Sequence, residues 1–263
     1  MKIATIQFSP VFGNSEKNIE KLKPFLEKAK TADLIVLPEL SNSGYNFKDK
    51  NEAFELSEEP ENSAFVGFLT GFCKQNNSAI VTGFNERDSS KIYNSALLID
   101  KTAIIGKYRK IHLFMNEKEY FEPGNLMPRP FELNGAKIGM LVCFDWMFPE
   151  IYRTLALQGV DVICQPSNLV LPGKAQQAIP VHDMINRVFV VLANRTGTEQ
   201  NLTYTGNSLI AGPNGEIIAQ ASAAGEEVLV ADIDISLSKN KMITPHNHAF
   251  EDRRPEFYVG LTR

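Results

Sequence analysis

Short apolar runs alternate along this chain with stretches whose apolar residues recur at helical spacing. The runs Lys2–Phe8, Asp33–Leu37, Ala79–Phe84, Ser95–Asp100, Lys137–Cys143, Val160–Gln165, Val188–Ala193, Ser208–Ala211 and Glu227–Ile233 are rich in Val, Ile, Leu or Phe. Gly, Pro, Asn or Asp stand at their borders, which predicts β-strands. LIVLP and VFVVLAN are apolar at nearly every position, the pattern of strands covered on both faces.

Helices are predicted between them. Ser15–Lys30 sets Ile19, Leu22, Phe25, Leu26 and Ala29 on one stripe, with Pro24 expected to kink or shorten it. Asn62–Lys74 opens on a capping residue and carries Phe65, Phe68, Leu69 and Phe72 at helical spacing. Pro149–Gln158 begins with Pro in the first turn and stops before Gly159. Pro180–Arg187 is a further helical candidate. Strands and helices that alternate throughout define an α/β chain with mostly buried sheets. No repeat of solenoid period, low-complexity tract or Gly/Ser linker divides the 263 residues, so one domain is expected over 1–263. From about residue 236 the chain turns polar and irregular, a tail that wraps the surface or reaches a partner subunit.

Composition narrows the partners. A net charge of −4 argues against a general nucleic-acid or anionic-membrane surface. The opening MKIATIQFSP alternates like a strand and lacks the long apolar run of a signal peptide, and no stretch is apolar enough to span a bilayer, so a cytoplasmic location is expected. Cys73, Cys143 and Cys164 form no CxxC, and their odd number points to free thiols in a reducing compartment.

Cys143 in KIGMLVCFDWMFPE ends an apolar run shortly before the helix that opens at Pro149. A thiol at a strand-to-helix turn is held rigidly, and nearby backbone N–H groups are free to bind an oxyanion. Taken alone, Cys143 would be read as a small buried hydrophobe. Glu39 closes LIVLPEL, and alone it would be a solvated loop acid. Lys110 in IGKYRKIHLF would be a surface lysine or part of a basic loop with Lys107 and Arg109. Together they supply a proton acceptor, an oxyanion stabiliser and a nucleophile at strand ends, where α/β folds assemble sites.

The segments LPEL, KYRKIHLF and CFDWMFPE resemble, in the same order, the three motifs of the nitrilase superfamily, the carbon–nitrogen hydrolases. The similarity runs from the first strand to about Arg254. With GYNF and EKEYFEPG it is most like that of small archaeal nitrilases and bacterial aliphatic amidases. The resemblance implies an α-β-β-α sandwich and a homodimer or larger homo-oligomer paired through helices. It implies Glu39 as general base, Lys110 as the oxyanion-binding cation and Cys143 as nucleophile. It also implies a second glutamate in EKEYFEPG, for which counting back from Gly124 favours Glu117 over Glu119 or Glu122. No metal or organic cofactor is implied.

The activity so implied is amidase chemistry on small aliphatic amides, through a cysteinyl thioester to carboxylate and ammonia. A nitrilase and an N-carbamoyl amine amidohydrolase use the same triad and stand as alternatives. A binding or scaffold protein that kept the fold is the alternative of another class, and the intact triad argues against it. Tyr45, Phe144, Trp146 and Asn168 are the substrate-binding candidates. Each has a plainer role: packing aromatic for Tyr45, apolar neighbour for Phe144, turn anchor for Trp146, turn former for Asn168. Cys73 and Cys164 read as structural, His182 as a helix residue, and His112 as orienting the lysine loop. His246 and His248 lack partner carboxylates at ligand spacing and read as loop residues, not a metal site. GxSxG, phosphate-loop and GxGxxG motifs are absent.

Overall fold

Along the first strands, successive side chains enter two different cores. Ile3, Leu34, Val36, Ala79 and Val81 belong to one, while Ala4, Ile35, Leu37 and Ile80 belong to the other. The period of two that directs neighbours to opposite faces explains why these segments are apolar at every position.

The computed structural model describes residues 1–262. In chain order it begins β1 (Lys2–Gln7), α1 (Ser15–Ala29), β2 (Leu34–Val36), α2 (Lys50–Glu55), α3 (Ala64–Asn76), β3 (Ala79–Asp88), β4 (Lys91–Ile99) and β5 (Ile104–Arg109). It continues with α4 (Glu117–Tyr120), β6 (Phe131–Leu133), β7 (Ala136–Met140), α5 (Pro149–Leu157), β8 (Val162–Ser167), α6 (Lys174–Asn186) and β9 (Phe189–Asn194). The hairpin β10 (Thr198–Glu199) and β11 (Leu202–Thr203) precedes β12 (Leu209–Ala211), β13 (Ile217–Gln220) and β14 (Glu227–Asp232). The tail holds α7 (Ser236–Lys239) and the hairpin β15 (Met242–Thr244) and β16 (Asn247–His248).

Two six-stranded sheets result, ordered β14-β1-β2-β3-β4-β5 and β13-β12-β9-β8-β7-β6. Each has three parallel strands, β1-β2-β3 in one and β7-β8-β9 in the other, flanked by antiparallel pairs. The inner core joins Ile3, Val36 and Val81 of the first sheet to Ile138, Val162 and Val191 of the second. Outside the first sheet lie Leu22 and Leu26 of α1 with Phe65 and Leu69 of α3; outside the second lie Tyr152 and Leu155 of α5 with Ile179 of α6. This is the four-layer α-β-β-α arrangement.

Several boundaries differ from the sequence pattern. Helix α1 runs unbroken through Pro24, which lies on its exposed face where water can take the carbonyl that proline leaves unpaired. Ser63, not Asn62, caps α3 by accepting the Val66 N–H at 3.2 Å. Helix α6 opens at Lys174 after Gly173, with Pro180 inside it. Strand β7 stops at Met140, three residues before Cys143, which sits instead in a short 3-10 turn, Cys143–Met147. Strands β3 and β4 form one long hairpin through Ser89, at φ 58°; its Ser-Ser turn lacks the Asn-Gly signature. The tail lies against the body: Ser238 donates to Asp161 at 2.6 Å, and the Lys241 ammonium donates to the Arg187 carbonyl at 2.8 Å.

Candidate active site

Glu39, Lys110 and Cys143 each follow the C-terminal end of a strand: β2, β5 and β7 respectively. Three backbone features bring them together. The segment Leu37–Ser41 is laced to β3, with the Leu37 N–H donating to Val81, Gly83 to Pro38 and Ser41 to Gly83. A Cβ on Gly83 would lie 2.3 Å from the Glu39 Cα, so only glycine lets the glutamate loop cross there. Lys110 donates its N–H to the Asn94 carbonyl at 2.8 Å, and its own carbonyl accepts from Gly124 at 2.9 Å. Cys143 adopts φ 44°, a left-handed conformation unusual for a residue with a side chain.

That turn is pinned on two sides. Asp145 accepts from the Val142 N–H and the Tyr108 hydroxyl, both at 2.8 Å, and contacts His112 Nδ1 at 2.7 Å. His112 also stacks on Phe148 at 3.6 Å. The lysine segment and the cysteine turn are thereby tied together, the role anticipated for His112. From the other side the Gln165 amide donates to the Cys143 carbonyl at 2.9 Å. Its Oε1 in turn accepts from the Tyr152 hydroxyl at 2.5 Å.

The side chains meet in a buried cluster. Lys110 Nζ lies 2.8 Å from Oε1 of both Glu39 and Glu117, and all three groups are almost wholly buried. Glu39 Oε1 also accepts from Asn94 at 2.7 Å, while its Oε2 has no hydrogen-bond partner among the described residues. Glu117 Oε1 accepts from the Tyr45 hydroxyl at 2.6 Å, and its Oε2 from the Phe114 N–H at 3.2 Å. Glu119 is exposed and Glu122 faces Lys50 at 3.6 Å, so neither belongs to the cluster.

Electrostatics follow from this packing. Burial alone would push the Lys110 ammonium down, but the carboxylates of Glu117 and Glu39 outweigh it and keep the lysine charged well above its ordinary range. Burial raises Glu117 despite the opposing ammonium. Burial, reinforced by Glu39, holds the Cys143 thiol well above its usual value, against the pull of Lys110 and an N–H from Asn168. The resting sulfur is therefore a thiol, and its activation needs a proton acceptor. The cluster contains a carboxylate oxygen without a donor, a fixed ammonium and a thiol, enough to accept a proton, steady an oxyanion and form a bond to carbon.

Two spaces that share part of their walls border this cluster. A recess of about 10 Å³ is lined by Cys143, Phe144, Trp146 and Asn168. A cavity of about 110 Å³ includes Tyr45 and Glu117 in its wall. Phe114 and Val170 line both. Phe144, Trp146 and Asn168 thus stand beside the thiol, whereas Tyr45 lies in the larger cavity and holds Glu117. Asn168 also donates its side chain to the Glu39 carbonyl at 3.0 Å, so it braces the glutamate loop as well. Asn94, Asp145, Tyr108 and Gln165 were not anticipated; Asn94 and Gln165 were detectable as polar residues interrupting otherwise apolar strands.

The family model for carbon–nitrogen hydrolases matches residues 2–240. A nitrilase of Pyrococcus abyssi is 44% identical over 260 residues, covering 98% of this chain and 99% of that one. A citrullinase of Francisella tularensis is 32% identical, covering 100% of this chain and 98% of its own. The crystal structure of a carbon–nitrogen hydrolase from Helicobacter pylori G27 superposes with a TM-score of 0.90 at 27% identity, covering 100% of this chain and 98% of that one. Fold, motif order and relatives agree that the chain belongs to the carbon–nitrogen hydrolases of the nitrilase superfamily.

Proposed function

We propose that this hydrolase converts small aliphatic amides to carboxylate and ammonia through a thioester on Cys143. The observation that carries the reading is the buried Glu39–Lys110–Glu117 cluster, with one Glu39 oxygen free of donors and the Cys143 thiol in electrostatic contact with it. In this reading Glu39 takes the thiol proton as sulfur attacks the carbonyl carbon. Lys110 and the N–H of Phe144, in the first turn of the 3-10 segment, stabilise the oxyanion. The Glu39 carboxylic acid returns its proton to the departing nitrogen, releasing ammonia. A water deprotonated by Glu39 then attacks the thioester, giving the carboxylic acid and regenerating the thiol. Glu117, fixed by Tyr45 and the Phe114 N–H, keeps the ammonium in place and positions the substrate or water.

The test pairs an ammonia-release assay on small amides with intact-protein mass spectrometry. An acyl adduct on the native chain, with no adduct and no ammonia from Cys143→Ala, is expected. Ammonia release that survives in Cys143→Ala would sink the assignment. A second reading, nitrile hydrolysis, is favoured by the name of the Pyrococcus abyssi relative, and a nitrile would reach the same thioester through a thioimidate. Assaying matched amides and nitriles ranks the two.

The same proposal takes the chain as one hydrolase domain and as a homodimer paired through α5 and α6. Those helices leave Leu157, Val181, Met184 and Ile185 exposed. Light scattering in solution checks the pairing. A cytoplasmic setting fits the three cysteines, all free and buried.

A further inference from the structure

We infer that the substrate is electrically neutral along its whole length, and that amides bearing a second, charged group are excluded. The inference rests on the thioester reading above and adds the substrate class to it. A reacting carbon at Cys143 lies at the recess, and on this inference the rest of the molecule lies past Phe114 and Val170, which line both spaces, in the larger cavity. Its volume of about 110 Å³ is small beside the ~300–1,000 Å³ of ordinary ligand pockets, so the chain is short.

Among the described residues lining either space, Glu117 is the sole carboxylate, and no Lys, Arg or His side chain contributes. The charge of Glu117 is already paired: Lys110 and the Tyr45 hydroxyl donate to Oε1 and the Phe114 N–H to Oε2. The polar wall is otherwise made of neutral groups such as Asn46, Asn116 and Asn201, beside apolar Leu202. Behind Tyr45 and Asn46, Arg195 and Glu199 are buried and bonded to each other at 2.9 Å, and Glu199 also accepts both N–H groups of that loop. The two charges face each other, and neither residue lines the cavity.

An ammonium or carboxylate carried into this space would lose its water and gain no counter-ion. Short neutral amides or nitriles lose little on entry and meet aromatic and amide surfaces suited to them.

The test uses the full-length protein and four compounds of equal chain length: pentanamide, pentanenitrile, 5-aminopentanamide and glutaramate. Ammonia release gives kcat/KM for each, and mass spectrometry records acylation of Cys143. At least one neutral compound is expected to exceed both charged ones by ~100-fold or more, the discrimination expected when a buried charge goes unpaired. Either charged amide turned over within ~10-fold of the better neutral compound would overturn the inference while leaving the thioester reading intact. Absence of turnover and of acylation with all four would overturn the thioester reading, and the inference with it.

Discussion

Asn94 donates its side-chain amide to Glu39 Oε1 at 2.7 Å, on the same oxygen that Lys110 holds at 2.8 Å. Both donors therefore fix one oxygen, and the carboxylate plane is set with Oε2 left over as the proton acceptor. Replacing Asn94 with Ala keeps the charges but releases that plane. A fall in kcat of about 10–100-fold is expected, because a misaligned base loses most of its advantage. KM should change little, since Asn94 lines neither space beside the thiol. Steady-state kinetics on the best amide decides it; an unchanged kcat removes Asn94 from the machinery.

Lys110 neutralises two carboxylates that would otherwise face each other in a buried site. Lys110→Met should abolish acylation and also destabilise the fold by about 3–5 kcal/mol, the usual cost of leaving a buried charge unpaired. Adding Glu117→Gln to Lys110→Met removes one of the stranded carboxylates. The double variant should recover part of the lost stability in urea denaturation and none of the activity. Recovery of activity would show that the ammonium serves the fold and not the chemistry.

Glu39 and Cys143 are readable from residue order because they follow buried strands, and buried strands advertise themselves by continuous apolar sequence. Glu39 stands three residues beyond β2, so recognising the strand places the side chain, whereas Lys110 follows the half-buried, mixed strand β5 and is legible only through its motif. What sequence pattern does not carry is backbone direction. Cys143 reads as the last residue of a strand, yet the chain leaves β7 at Met140 and turns into φ 44° at the cysteine, braced by Asp145 and Gln165 from distant elements. The edge strands β6 and β13 escape for another reason: at three and four residues they are too short to show a period, and β13 is largely exposed. Tyr45 was expected against the substrate, but its most definite contact is Glu117, a partner 72 residues away that no local pattern can specify.

Gly83 offers a steric test of the glutamate loop. A methyl group there would sit 2.3 Å from Glu39 Cα, 2.6 Å from the Pro38 carbonyl oxygen and 2.7 Å from the Leu40 nitrogen, all backbone atoms that cannot rotate away. Gly83→Ala must therefore push the Pro38–Leu40 segment off β3. Overpacking of this kind typically costs about 1–3 kcal/mol. The displacement of Glu39 should lower kcat far more than that loss of stability would suggest. Thermal melting and turnover measured together separate the effects; a variant that melts lower but turns over normally shows that the loop tolerates the shift.

Asp183 on α6 is wholly buried, and among the described residues its carboxyl group meets no side-chain donor, only the neighbouring Met184 N–H. Burial pushes this group up to about 9. In the unfolded chain it titrates near an ordinary aspartate value of about 3.9. Between these values the folded protein keeps a proton that the unfolded chain has released. Stability contributed by this group is therefore greatest at acid pH and is lost as pH rises through the window, at up to about 1.4 kcal/mol per pH unit. Asparagine has nearly the shape of the protonated acid and does not titrate. Asp183→Asn should accordingly match the native protein near pH 4 and melt at a progressively higher temperature than it towards pH 8. Melting curves of both proteins across that range give the difference directly, with every other titrating group common to both. A gap that stays constant with pH would mean that Asp183 is ionised in the fold and has found a partner.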